Sequence, residues 1–324
     1  MDIIDQTTFF NITQKFELIP FTQSKGMFDF HSVCGDNRIR FFVNNINQPS
    51  IACYGHEKKF LNKRMLLIEG ECYATHSDYN SNDICLFYKE IINLGYDFIE
   101  VNSNDEYNFK YETALRQAGF LRPVGQFSMP VTKIVDLTSE IKYSGNWKQN
   151  IKKSLRNNLT FEEISDLKIS DCDDFISIYT EMSKRKSLTE PLTVEQIYAL
   201  CKSDNFSLFF VLHDNKRVAS IIIHKHKSHA GSLYSANNKE ALHLSASFFR
   251  HYALLSHLKQ NGYLTFDLEK LVPSTESINN VFLFKDGIDG RYIQLNGEWS
   301  WYKKPYYRPL MYFVKKYLMH KKEF

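Results

Sequence analysis

One rhythm of apolar and polar positions occurs twice along the chain. In "DICLFYKEIINLGYDFIEV", residues 83–101, apolar residues recur at helical spacing up to Gly95, and a short apolar strand follows at once. In "LSASFFRHYALLSHLKQNGYLTFDL", residues 244–268, a longer amphipathic helix runs to Gly262 and the strand Leu264 to Leu268 follows. Both junctions read Gly-Tyr. About 24 residues further on, each half has a second junction. The first is "ALRQAGFLRPVGQF", with Gly119 before Phe120, and the second is "FLFKDGIDGRYIQL", with Gly287 before Ile288. A glycine after the last helical turn supplies a left-handed closing residue, so each junction predicts helix, glycine, strand.

Upstream, "IRFFV", "SIACYG" and "RMLLIEG" predict three strands before the first helix. "FSLFFVLHDNKRVASIIIHKHKSHAGSLYSANN" predicts three before the second, with Asp214-Asn215 as a hairpin turn. Each half therefore reads β-β-β, helix, β, helix, β. A strand–helix–strand step implies locally parallel pairing inside an otherwise antiparallel sheet. The fold class is α/β: two similar units in tandem, with mixed sheets flanked by helices, over residues 1–140 and 141–324.

Composition agrees with two packed units. The 324 residues are 43% hydrophobic and 24% charged, which describes a globular chain long enough for two cores. Aromatics reach 15%, suited to broad packed sheets or to surfaces that hold flat or amphipathic ligands. The longest apolar runs are far too short to span a bilayer. "MDIIDQTTFFNITQKFELIPF" starts acidic and lacks the pattern of a secretory signal, so the expected place is the cytoplasm. Cysteines 34, 53, 72, 85, 172 and 201 lie far apart with no CxxC pair, which predicts free, mostly buried thiols.

Charge is distributed unevenly. "KKPYYRPLMYFVKKYLMHKK", residues 303–322, holds seven Lys or Arg and no acid; with those seven taken from the net charge of +3, the rest carries −4. Leu310, Phe313, Val314, Tyr317 and Leu318 fall on one helical face of this basic-aromatic tail. Three readings stay open for it: peripheral contact with the inner face of the cytoplasmic membrane, a grip on tRNA, or docking on the sheet with its lysines solvated.

The repeated order of elements resembles the Gcn5-related N-acyltransferase fold. "NWKQNIKKSLRNNLTFEE", "GYLTFDL" and "FLFKDGIDG" narrow the likeness to the bacterial Fem family, whose members are tandem versions of that fold. "LRQAGFLRPVGQFSMPVTKIVDL" in the first half is similar to interpeptide-bridge enzymes of peptidoglycan within it. The resemblance implies an N-acyltransferase that moves an aminoacyl group from aminoacyl-tRNA to an amine of a cell-envelope precursor, such as a peptidoglycan stem peptide or an amino sugar. Its donor is a substrate, so no cofactor is expected. Gln117 stands at the matching position of the first junction, so the first unit would serve the acceptor and the second the chemistry.

Two alternatives stand beside that reading. One is an N-acyltransferase that acts on an amino sugar, amine or lipid and takes its acyl group from acyl-coenzyme A. Single-unit acyltransferases cradle its pyrophosphate in a glycine-rich loop at a helix N-terminus, and the corresponding "SANNKEALHLSAS" has no glycine, which weighs against it. The other is a non-catalytic binding module.

Lys285 is the first candidate for chemistry. On spacing alone it reads as a cation meeting the carbonyls at a helix C-terminus, with Gly287 as the left-handed cap. By resemblance it matches the family's Phe-Lys lysine, which stabilises charge developing at the reacting carbonyl or the leaving oxygen, while Phe284 excludes water. Asp267 ends its strand, where α/β sheets present ligands, and would take or orient the proton of the incoming ammonium. Glu269 would share its side if the strand continued. For both carboxylates an ordinary cap or loop role is the alternative, and "DLEKL" departs from the family's glycine-bearing strand end.

Lys148, Lys152 and Arg156 recur every four residues, with Lys153 beside them, forming a basic stripe for an anionic part of a substrate. A solvated charged face is the alternative. Trp147, Ile151 and Leu155 form the neighbouring apolar stripe. Tyr234 is placed with these substrate-binding positions. His224 and His226 in "HKHKSHAGS" have no carboxylate or cysteine at ligand spacing, so no metal is expected.

Overall fold

The computed structural model describes the chain apart from residues 34, 36–37, 61, 76–79, 130, 189–190, 273–279 and 324. In chain order the elements are β1 (Asp2–Ile4), α1 (Gln6–Thr13), α2 (Lys25–Val33), β2 (Ile39–Val43), β3 (Ile51–Phe60), β4 (Lys63–Ile68), β5 (Cys72–Tyr73), α3 (Ser81–Ile92), β6 (Phe98–Glu106), α4 (Phe109–Gln117) and β7 (Val131–Asp136). There follow α5 (Gly145–Ser154), β8 (Thr160–Glu163), α6 (Ile169–Lys186), α7 (Val194–Cys201), β9 (Phe206–His213), β10 (Lys216–His226), β11 (His229–Asn237), α8 (Lys239–His243), α9 (Ala246–Gln260), β12 (Thr265–Asp267), α10 (Asn280–Asp286), β13 (Arg291–Tyr302) and α11 (Tyr307–Phe313), which continues as a π-helical turn, Val314–Leu318.

The chain divides into two compact units: Met1–Lys25, Asp36–Val131 and Ile293–Phe324 in the first, Gly26–Gly35 and Thr132–Tyr292 in the second. The division is interleaved rather than contiguous. Ile293–Phe324, expected with the second unit, packs with the first.

In the first unit β1, β2, β3 and β4 pair antiparallel, and β4 pairs β6 in parallel across α3. β13 then adds antiparallel to β6. Trp299 of β13, Tyr88 and Phe87 of α3, and Tyr111 and Leu115 of α4 are fully buried together. Gly95 and Gly119 close α3 and α4 with φ of 81° and 94°, the left-handed geometry the spacing predicts.

The second unit repeats the scheme. β8 pairs β9, β9 pairs β10 and β10 pairs β11, each antiparallel, and β11 pairs β12 in parallel across α8 and α9. β12 pairs β7 antiparallel. Asp214 and Asn215 both have positive φ, so the expected two-residue hairpin joins β9 to β10. Val135, Trp147, Phe209, Ile221, Leu254 and Phe266 form its core.

Two apolar stripes differ from expectation. On α5, Trp147 and Ile151 are buried, but Leu155 caps the helix at 53% exposure, and Ser154 is buried instead. The helix ends one residue before the stripe would complete itself. In the tail, Val314 packs inward with Tyr307 and Met311, while Leu310, Phe313, Tyr317 and Leu318 stay exposed. Cys53, Cys72, Cys85, Cys172 and Cys201 are free thiols; Cys34 lies outside the described residues.

Candidate functional site

The site grows from the parallel pair β11 and β12 in the second unit. Their pairing covers only His229–Gly231 against Thr265–Asp267. β11 runs on to Asn237 with no strand partner on that side among the described residues. Its register against β10 shifts between Ile222 and Ile223, so the strand bulges where it leaves β12.

Asp267 ends β12 at this point, as expected. Thr132 Oγ1 donates to its Oδ1, and the Glu269 amide donates to the same oxygen at 2.7 Å. Burial pushes the Asp267 carboxyl up to about 6, and the charge of Glu269 adds to the effect. Glu269 is not a continuation of the strand. Its φ of 66° turns the chain, and its carboxylate swings to within 3.1 Å of His224 Nε2. His224 thus has a carboxylate partner after all, although the described residues contain no group of three ligands fit for a metal. Gly231 makes the meeting feasible: it faces His224 across β10 and β11, and a Cβ there would lie 2.2 Å from His224 Nε2.

Lys285 reaches the same turn from α10. Its Nζ donates to the carbonyls of Glu269 and Lys270, both at 2.9 Å. Burial holds its pKa below the ordinary lysine value, opposed by the charges of Glu269 and Asp267. Lys285 therefore does not cap its own helix. That task falls to Lys133 of β7, which is 3% exposed and donates to the Asp286 carbonyl at 3.0 Å. Lys133 was missed in the sequence, yet the signal was present: it shares a strand face with Val135, a cation on an apolar alternation.

Gly287 is not a left-handed cap. It is absent from the positive-φ glycines that include Gly95, Gly119 and Gly262. Glycine is needed because Trp147 packs on it, with Cδ1 only 2.1 Å from where a Cβ would stand. Trp147 Nε1 donates to the Phe284 carbonyl at 2.8 Å, and the Gly287 carbonyl accepts from the Ser144 amide at 2.9 Å. Phe284 closes an aromatic cluster with Trp147, Phe248 and His251, at ring distances of 4.7, 5.1 and 5.0 Å. Burial drives His251 down to about 3, so the imidazole stays neutral beside Lys285.

The other positions stand apart from this turn. Tyr234 sits on β11 beyond its pairing with β12, its ring stacked on Phe30 of α2 at 6.2 Å. Lys148, Lys152, Lys153 and Arg156 are exposed, and Arg156 lies in the turn beyond α5 rather than on it. α5 is tied to the start of α9, where Ser245 Oγ donates to Asn150 Oδ1 at 3.3 Å and Asn157 Nδ2 to the Leu244 carbonyl at 3.1 Å. The glycine-free loop is filled by α8, capped by Asn238. Ser245 then takes φ of 55° before α9. Arg250 of α9, 2% exposed, clamps the paired residues Ser220 of β10 and Ala236 of β11 through their carbonyls at 2.8 and 2.9 Å.

Residues 145–273 match a family model described as an acetyltransferase (GNAT) domain. Among curated proteins no sequence matches. Among solved structures the chain is similar to FemX, with a TM-score of 0.74 at 10% identity over 97% of this chain and 100% of that one. It is also similar to L-PGS from Bacillus licheniformis, with a TM-score of 0.67 at 12% identity over 99% of each chain. A third likeness is the C-terminal domain of a protein described as a lysylphosphatidylglycerol synthetase from Agrobacterium fabrum, with a TM-score of 0.61 at 13% identity over 90% and 91%. The strand order, the parallel step in each unit and these likenesses agree that the chain has the Gcn5-related N-acyltransferase fold in tandem, resembling FemX over its whole length.

Proposed function

We propose that the protein is an N-acyltransferase of the Fem type, which moves an aminoacyl group from aminoacyl-tRNA onto an amine of a cell-envelope precursor. The observation that carries the reading is Lys285, a partly desolvated ammonium aimed by two backbone carbonyls at the turn beside a buried carboxylate. An acceptor ammonium must lose a proton before it can attack, and Asp267 is the base for it. The freed amine attacks the ester carbonyl of the donor and a C–N bond forms. The ester C–O bond breaks, and the ribose oxygen leaves with the proton that the attacking nitrogen sheds as the amide forms. Lys285 stabilises the negative charge that passes from the carbonyl oxygen to the leaving oxygen, and Phe284 with Trp147 keeps water from competing. Lys148, Lys152, Lys153 and Arg156 attract the phosphates of a substrate. The glycine-free, helix-filled loop favours a tRNA ester over coenzyme A, and the likeness to FemX and to a lysylphosphatidylglycerol synthetase favours aminoacyl transfer.

Parallel transfer assays test this. Labelled aminoacyl-tRNAs and labelled acyl-coenzyme A are each offered with envelope precursors, to the wild type and to Lys285→Ala. Transfer from tRNA should fall by about a hundredfold or more in the variant, with its melting curve retained. Transfer from coenzyme A alone would replace the donor; equal activity of the variant would remove Lys285 from the chemistry.

A further inference from the structure

The tail helix of the first unit is apolar on two faces, and only one is covered. Tyr307, Met311 and Val314 are buried, with Tyr307 packed on Phe98 at 4.7 Å between ring centres. Lys315 is drawn inward to Glu100 at 2.9 Å. The neighbouring stripe, Tyr306, Leu310, Phe313 and Tyr317, follows the same helical spacing and faces outward, continued by Leu318 and Met319. Phe313 is 60% exposed, Tyr317 50% and Leu318 70%. An exposed apolar stripe of this kind, rimmed by charge, marks an interaction surface.

The charges around this stripe say what encloses it. Lys303 and Lys304 stand exposed before α11, and Lys321 and Lys322 stand exposed after the π-helical turn. Residues 303–322 contain no acid, and Glu323 beyond them is held by Lys316 at 2.8 Å. The stripe is therefore apolar at its centre and cationic at both ends. A second copy would fit poorly: two-fold pairing of the helix brings lysine pairs against lysine pairs. Nucleic acid would satisfy the lysines and leave Leu310, Phe313 and Leu318 against phosphates. A bilayer surface with anionic headgroups satisfies both parts, taking the aromatic and aliphatic side chains into its headgroup–acyl boundary and the lysines at its charged plane.

We propose that Tyr306–Met319, with its lysine fringes, is a docking face for an anionic lipid surface. This rests on the tail alone and not on the acyl-transfer reading. The test is co-sedimentation of the full chain with vesicles of phosphatidylcholine, alone or mixed with phosphatidylglycerol. The wild type should bind the mixed vesicles on the order of tenfold better than the neutral ones, and added salt should erode that difference. Phe313→Ser with Leu318→Ser should reduce binding by a similar factor while the melting temperature is kept, and Phe313→Ala alone should show a smaller loss. Transfer to a soluble acceptor should be unchanged in these variants, so failure here is distinct from failure of the acyl-transfer reading. Absence of vesicle binding would overturn the proposal, as would binding indifferent to the apolar substitutions. A dimer in light scattering that those substitutions dissolve would assign the face to a second copy instead.

Discussion

Glu71 is a carboxyl with no surface exposed to water, sealed in the core of the first unit. Tyr88 donates to its Oε1, and Tyr111 donates to the same oxygen at 2.9 Å. Burial pushes Glu71 up to about 8, the hydrogen bond from Tyr111 opposing and the charge of Asp105 adding. Its folded pKa lies above its unfolded one, so the native state binds the extra proton between the two values. Stability is therefore full below the ordinary carboxylate range and falls as pH rises towards about 8. Glu71→Gln keeps the acceptor oxygen and removes the titration. Urea unfolding at about pH 5 and about pH 9 should show the wild type losing a few kcal/mol, to order of magnitude, that the variant keeps. Equal slopes would mean that Glu71 gains water in the native state. Legibility at this scale was mixed. Motif and strand end single out Lys285 and Asp267 as candidates, and both contact the turn at Glu269. His224 could not be joined to Glu269, because strand alternation carries no information about a left-handed turn after the strand stops.

α10 shows what an element needs beyond its own sequence. Among the four junction glycines, Gly95, Gly119 and Gly262 have positive φ, a local requirement that spacing expresses well. Gly287 answers to a residue far upstream, and its requirement is space. Trp147 cannot yield easily: its Nε1 is bonded to the Phe284 carbonyl, and its ring packs on Tyr143 at 5.5 Å and Phe248 at 4.8 Å. Gly287→Ala should therefore cost about 1–3 kcal/mol in urea unfolding, the range for forcing a methyl group into a packed core. Because Phe284 and Lys285 sit on the displaced turn, transfer activity should fall further than stability does. Gly262→Ala is the control, since nothing lies within 4 Å of its added Cβ. It should lose only the left-handed preference, about 1 kcal/mol, with activity retained. Equal effects of the two substitutions would refute the packing argument.

Across the whole molecule, the repeat of elements was legible and the boundary between units was not. Period and glycine spacing depend on neighbours in sequence, and both parallel steps, β4 to β6 and β11 to β12, follow from them. Assignment of β13 and α11 depends on which sheet accepts them, and that is decided by packing at a distance. β13 pairs with β6 and places Trp299, fully buried, in the core of the first unit. The Arg122 guanidinium lies 3.8 Å from the Trp299 ring centre, and the Phe127 and Ser128 amides donate to Glu298 at 2.8 Å each. A fragment of residues 1–140 thus lacks a strand of its own sheet and leaves Phe98, Val101 and Phe120, all buried, without their cover. Expressed alone, it should give no cooperative unfolding transition and should expose apolar surface to a dye such as ANS. Adding residues 293–324 through a flexible linker should restore a single transition, because it returns β13 to β6 and α11 to Phe98. A cooperative melt from 1–140 alone would mean that the first unit closes its core without β13, and the interleaved division would then be a matter of docking rather than of folding.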